Sequence, residues 1–215
     1  LRRARAAGAR TVAVTNVVGS TAARECDEAL FIRAGPEIGV AATKTFSSQV
    51  VSLALLGERL VRDVTGSRSD DVEELFAALS DLPGQVQQVL DYTKARRVAK
   101  RYRDSDAYFF IGRDTGFPVA LEGALKFKEI SYEHAEGFAA GELKHGPLAL
   151  VTPNTPVFAV FNGRALEKTL GNVKEVEARG APVVAVATDD QEAAFEHAEA
   201  VLTVPETHSD VAGVL

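Results

Sequence analysis

Apolar positions along this chain follow two periods, and the two alternate. Thr11–Asn16 (TVAVTN) and Ala29–Ile32 (ALFI) are short runs closed by Arg10, by Gly19-Ser20 and by Gly35-Pro36, and they predict strands. Leu1–Ala7 is rich in Ala and Arg and predicts a helix that stops at Gly8. Phe46, Val50, Leu53, Leu56 and Leu60 recur at steps of three and four, which predicts a helix over Thr45–Val64. Gly66–Asp71 (GSRSDD) is a polar loop. Asp71–Tyr102 carries Val72, Leu75, Leu79, Val86, Val89 and Leu90 at helical spacing and predicts a helical hairpin interrupted at Pro83-Gly84.

The same alternation returns further on. Ala107–Gly112 (AYFFIG), Pro156–Phe161 (PVFAVF), Pro182–Ala187 (PVVAVA) and Ala200–Val204 predict strands. Between them, a helix starts near Pro118 after the turn Arg113–Gly116, and a second runs over Leu166–Arg179 with Gly180 as its stop. Strands alternating with helices predict α/β units around a parallel sheet. The segments GARTVAVTN and CDEALFIRAGPE echo GAPVVAVATDD and AEAVLTVPETHSD in order, which predicts an internal duplication. On that reading the first copy lacks its opening strands.

Composition narrows the function classes. Of 215 residues, 46% are hydrophobic, which excludes wholesale disorder. A formal charge of −6 argues against a phosphate-backbone partner, so no nucleic acid is expected. A single cysteine, Cys26, excludes a disulfide framework and a multi-cysteine metal site. The apolar run Val50–Leu56 is closed by Gly57, Glu58 and Arg59, so no membrane partner is expected either. The start Leu1-Arg2-Arg3 leads into no signal-peptide core, and a cytoplasmic location is expected. The chain has no Met and closes on the apolar Val211–Leu215, which reads as a piece of a longer polypeptide.

Three places carry candidate chemistry. On the helix from Pro118, Glu122, Lys126, Glu129 and Glu133 fall in one wedge, while most other positions are apolar or small. Such a wedge faces either a strip of solvent, as ordinary helix ion pairs, or a cleft. In a cleft, a carboxylate beside a Lys can accept and return a proton, with Glu129 as base and Lys126 holding it ionised. His145 stands in Gly141-Glu142-Leu143-Lys144-His145-Gly146-Pro147, a loop-like segment, either as a plain surface residue or as an acid–base group near a ligand. In Glu37–Lys44 (EIGVAATK), Gly39 and small residues lead into a helix at Thr43, which serves as an N-cap or presents backbone N–H groups to a ligand oxygen. No metal spacing, complete dinucleotide fingerprint or P-loop is present, so no metal or cofactor is expected.

The stretch ALEGALKFKEISYEHAEGFAAGELKHGPLALV (Ala120–Val151), with EIGVAATKTFSSQ (Glu37–Gln49), resembles the isomerase half of the glutamine–fructose-6-phosphate aminotransferases, which pair two sugar-isomerase (SIS) domains. The resemblance covers nearly all of the chain, in order. It implies an α/β fold of two SIS-type units with parallel sheets flanked by helices, the first unit truncated. Residues 1–65 would be a partial first SIS domain, 66–102 a helical linker and 103–215 a second SIS domain. Glu129 would shuttle the proton between C1 and C2 of the sugar, Lys126 would share its helix face beside Glu122, and His145 would assist ring opening in the neighbouring subunit. Val40, Ala42 and Thr43 would line the sugar site, Ala42 standing where a Ser is common.

The implied partners are fructose 6-phosphate or glucosamine 6-phosphate, a glutaminase domain in the parent chain and a second copy in a homodimer. The family's Ser-rich phosphate loop and ring-opening Lys have no match in these residues, so the chain alone is expected to be inactive or nearly so. Two relatives of the same fold stay open: a sugar-phosphate deaminase or deglycase, and a non-catalytic phosphosugar-binding domain of a regulator. A dimer-forming structural remnant is a further alternative.

Overall fold

The first two β-rich runs form a parallel pair. The computed structural model describes residues 1–162 and 164–215 and divides into two units, Leu1–Glu73 and Glu74–Leu215. In the first unit, helix α1 (Arg2–Ala6) precedes β1 (Val12–Thr15), and β1 pairs in parallel with β2 (Glu28–Phe31). A parallel pair needs a crossover, and here it is the five-residue helix α2 (Thr21–Glu25). Gly19-Ser20, read as a turn, is the start of that helix, because the Ser20 hydroxyl accepts from the Ala23 N–H at 3.2 Å. Helix α3 (Lys44–Thr65) follows and ends at Gly66, whose φ of 77° few other residues adopt.

Helix α4 (Val72–Tyr92) runs without a break through Pro83, so the expected interruption at Pro83-Gly84 is not there. Proline removes one backbone donor and crowds the preceding turn. The helix nevertheless buries Val72, Leu75 and Leu82, and that burial outweighs the local penalty. The real interruption is at Thr93-Lys94, where the Thr93 hydroxyl accepts from the Ala95 N–H at 3.1 Å and starts α5 (Ala95–Tyr102).

The second unit is built on a five-stranded parallel sheet. Its strands are β3 (Tyr108–Gly112), β4 (Ala135–Ala139), β5 (Val157–Val160), β6 (Val183–Ala187) and β7 (Ala200–Thr203), in the order β4-β3-β5-β6-β7. The intervening helices are α6 (Gly116–Ser131), α7 (Leu166–Glu177) and α8 (Glu192–Glu196). Strand β3 is buried on both faces, as a central parallel strand should be. Tyr108 and Phe110 point to a layer shared with Val98 and Tyr102 of α5 and Ala120 and Ala124 of α6. Phe109 and Ile111 point to the opposite layer, with Val173 and Val176 of α7 and Ala194 of α8. Phe110 stacks on Phe158 with centroids 4.7 Å apart.

Strand β4 (AEGFA) was not expected from the sequence. It holds Glu136 and Gly137, which have low strand propensity, and it lies on the sheet edge. Gly137 is needed there because a Cβ would stand 2.8 Å from Cα of Leu121 on α6. A five-stranded sheet with helices on both faces is the α/β, three-layer fold that the alternating pattern predicts.

Candidate functional site

Helix α6 carries the first part of the site. Its inner face is lined by Ala120 and Ala124, both buried, and Gly123 lets the Phe110 ring lie close beneath. These small residues draw the helix onto β3 and β4 and fix the direction of its charged side. There Lys126 Nζ donates to Glu129 Oε2 at 2.5 Å and lies 3.6 Å from Glu122 Oε1. The Glu129 hydrogen bond, aided by the Glu122 charge, raises the Lys126 ammonium above its ordinary range, so it stays charged. Glu133 is not part of this wedge. Tyr132 adopts a φ of 63° and ends the helix, and the Glu133 N–H donates to Ser131 Oγ at 3.2 Å.

Glu122, Lys126 and Glu129 are better shielded than the leucines of the same helix. The side chains of Lys126 and Glu129 are 22% and 27% exposed, whereas Leu121 and Leu125 are 43% and 42% exposed. An exposed helix ion pair contributes about 0.3–0.5 kcal/mol. That is too small for stability to explain two shielded carboxylates around one Lys, and what the arrangement does is fix the Glu129 carboxyl in place beside a cation.

His145 closes a 3-10 turn, Ala140–His145, rather than a loop. Ala140 and Leu143 face inward and are fully buried, which turns Lys144 and His145 outward. Two more side chains, Arg113 and Glu175, meet this turn, and Asn172 joins them. Arg113, from the turn after β3, donates from Nε to Asn172 Oδ1 on α7 at 2.8 Å. Asn172 Nδ2 donates to Glu175 Oε2 at 3.2 Å, and Lys144 Nζ donates to Glu175 Oε1 at 3.3 Å. Among the described residues, no hydrogen bond or ion pair joins His145 to Glu122, Lys126 or Glu129.

In the first unit, Val40 is exposed, Ala42 half-buried and Thr43 exposed. Thr43 takes the N-cap position of α3, but its side chain does not cap the helix. Glu37 does so instead. Its Oε1 accepts from the Thr43 N–H at 3.0 Å, the Thr43 hydroxyl at 3.1 Å and the Thr45 N–H at 3.4 Å, and its Oε2 accepts from the Thr45 hydroxyl. The Thr45 hydroxyl first, and then the Thr43 N–H, hold the Glu37 carboxyl down at about 2. The backbone N–H groups read as open to a ligand oxygen are thus met by this chain's own carboxylate, which fits a helix start better than a hydroxyl does. A Glu six residues before a Thr-Lys-Thr start is a signal that the N-cap reading passed over.

Asn172, Glu175 and Arg113 were also missed. Their signal is weak, since an Asn and a Glu three apart on an amphipathic helix look like surface residues. Among the described residues, no group of three His, Cys, Asp or Glu side chains is placed to hold a metal ion, and no helix is long and apolar enough to cross a membrane.

Comparison with known proteins adds a family match, a relative and two solved structures. The SIS domain family matches residues 1–59 and 101–214. The chain is 57% identical over 207 residues to the glutamine–fructose-6-phosphate aminotransferase (isomerizing) of Halobacterium salinarum, a match covering 95% of this chain and 34% of that protein. It superposes on the C-terminal domain of glucosamine-fructose-6-phosphate aminotransferase from Francisella tularensis with a TM-score of 0.85 and 36% identity, over 100% of this chain and 62% of that one. The glucosamine-6-phosphate deaminase of Thermotoga maritima is more distant, with a TM-score of 0.66 and 25% identity over 96% of this chain and 58% of that one. The chain spans about a third of the length of the curated relatives it matches.

Proposed function

The chain belongs to the SIS domain family, and from that premise we propose that it forms isomerase structure of a glutamine–fructose-6-phosphate aminotransferase. Its ligand is then fructose 6-phosphate or its product glucosamine 6-phosphate. The nitrogen comes from a glutaminase domain elsewhere in the longer polypeptide. Residues 1–65 and 103–215 are the two sugar-isomerase portions, with 66–102 between them. The family match that skips 60–100 supports this division. The working unit is a cytoplasmic homodimer. Among the solved structures, identity to the aminotransferase, 36%, exceeds that to the deaminase, 25%, which favours amino-sugar formation over ammonia release.

The observation that carries the reading is the Lys126–Glu129 pair. Isomerising a ketose to an aldose moves one proton between adjacent carbons. Glu129 takes it from C1 of the opened sugar, and the same carboxyl returns it at C2. Lys126, kept cationic by Glu129 and Glu122, holds the Glu129 carboxyl in place between turnovers. His145 assists ring opening, and Val40, Ala42 and Thr43 contact the sugar. With Ala42 in place of a hydroxyl residue, that contact is made by backbone.

Glu129→Gln in the full-length polypeptide tests the base. Glucosamine 6-phosphate formation is expected to fall by about 10²–10⁴-fold, with binding of fructose 6-phosphate little changed by calorimetry. Turnover at the parent rate would remove Glu129 from the reaction.

A further inference from the structure

A 3-10 turn has poor hydrogen-bond geometry and does not hold its own orientation. The turn Ala140–His145 buries Ala140 and Leu143, which stand three residues apart and so lie on one line. Two anchors on a line fix the depth of the turn but leave it free to rock about that line, and rocking swings His145. Contacts off the line are what stop it.

Among the described residues, two such contacts lead to Asn172. At residue 141 the contact is steric. The Arg113 guanidinium lies across Gly141 so closely that a Cβ there would stand 2.6 Å from Nη2 and 3.0 Å from Cζ. Arg113 is kept in place by Nε donating to Asn172 at 2.8 Å. At residue 144 the contact is ionic, through Lys144 to Glu175, and Glu175 is itself held by Asn172 Nδ2. Asn172 is 3% exposed and sits on α7 beside the buried Val173. Packing alone would be served by an apolar residue there, and a buried amide that lost a partner would destabilise the fold. The retained amide has one acceptor and one donor in use, one for each contact.

We propose that Asn172 is a positioning residue for the isomerase reaction, fixing the turn that presents His145 through Arg113 and Gly141 at one end and Glu175 and Lys144 at the other. This rests on the reading of His145 as the group that assists ring opening. Displacing a reacting group by about 1 Å can cost up to 10²-fold in rate while leaving substrate binding nearly intact.

The test is steady-state kinetics of the full-length enzyme with fructose 6-phosphate varied. Asn172→Ala is expected to lower kcat about tenfold with KM within about twofold, and Gly141→Ala to do the same by pushing Arg113 aside. In a His145→Ala background, Asn172→Ala is expected to add no further loss. An unchanged kcat in Asn172→Ala, or a loss that multiplies with that of His145→Ala, overturns the proposal. If His145→Ala alone keeps the parental kcat, the reading of His145 has failed, and the single variant reveals it. Should Asn172→Ala not fold, Lys144→Met probes the same brace from the surface. A loss of about threefold that vanishes in the His145→Ala background supports the proposal, and a loss that persists there overturns it.

Discussion

Two strand–helix–strand stretches of this chain share one geometry and differ in their surroundings. Val12 of β1 pairs with Glu28 of β2, and Val184 of β6 pairs with Ala200 of β7, so partners stand sixteen positions apart in both. Each first strand follows a Gly-Ala with the glycine at positive φ, 83° at Gly8 and 74° at Gly180. A five-residue helix, α2 or α8, makes each crossover. Yet Val12 is 56% exposed and Val184 is fully buried. Strand β6 has β5 on one side and β7 on the other, whereas among the described residues β1 pairs with β2 alone. Local sequence makes the strand, and its neighbours in the sheet decide what that strand buries. The shared register supports the internal duplication read from the sequence.

Replacing these two valines with aspartate tests that comparison with the largest expected effect. An unpaired carboxylate in place of Val184 should cost about 4 kcal/mol, seen as a fall in the denaturation midpoint. Val12→Asp in the 215-residue chain should stay within about 1 kcal/mol. In the longer polypeptide proposed above, a further strand on the free side of β1 would raise the Val12 loss toward that of Val184. Equal tolerance of Val12→Asp in both lengths would break the duplication.

Glycines give a smaller contrast of opposite sign. Gly137 on β4 has Cα of Leu121 at 2.8 Å and the Ala120 carbonyl oxygen at 3.0 Å from any added Cβ. Gly137→Ala should therefore destabilise by about 2 kcal/mol, because α6 and β4 have no slack. Gly57 lies inside α3 with nothing within 4 Å of an added Cβ. Gly57→Ala should stabilise by about 1 kcal/mol from helix propensity alone. A loss at Gly57, read from thermal midpoints of the same chain, would mean that the α3 surface is covered in solution.

Period carries most of the fold into the sequence. The runs around β1, β2, β3, β5, β6 and β7 are rich in β-branched or aromatic residues at strand spacing, and each is a strand. Strand β4 was illegible because Gly137 is there for helix approach, not for strand propensity. The Pro83 break was misplaced because burial of Leu82 outweighs a local rule. The wedge of Glu122, Lys126 and Glu129 was legible because three charges at helical spacing need no tertiary information, and Glu133 dropped out because a left-handed Tyr132 leaves no trace in the sequence. The Asn172 brace joins residues 59 positions apart at Arg113, and no local pattern encodes such a pairing.

The starts of α3 and α6 differ in a way that pH can reveal, with the smallest expected effect. Helix α6 has no side-chain cap and no acidic residue in its first turn, whereas α3 is capped by the Glu37 carboxylate, held at about 2 against an ordinary 4.5. A carboxyl depressed on folding stabilises fully above its unfolded value, and the contribution is lost as pH falls through the folded one. The start of α3 should therefore loosen as pH drops from about 4.5 to about 2, and amide exchange at Thr43 and Thr45 should rise above the intrinsic trend. Glu37→Gln should show faster exchange at those amides near pH 5 and no such additional rise below it. If parent and variant exchange alike across that window, Glu37 does not cap α3 in solution and the N–H groups of its first turn are open to a ligand after all.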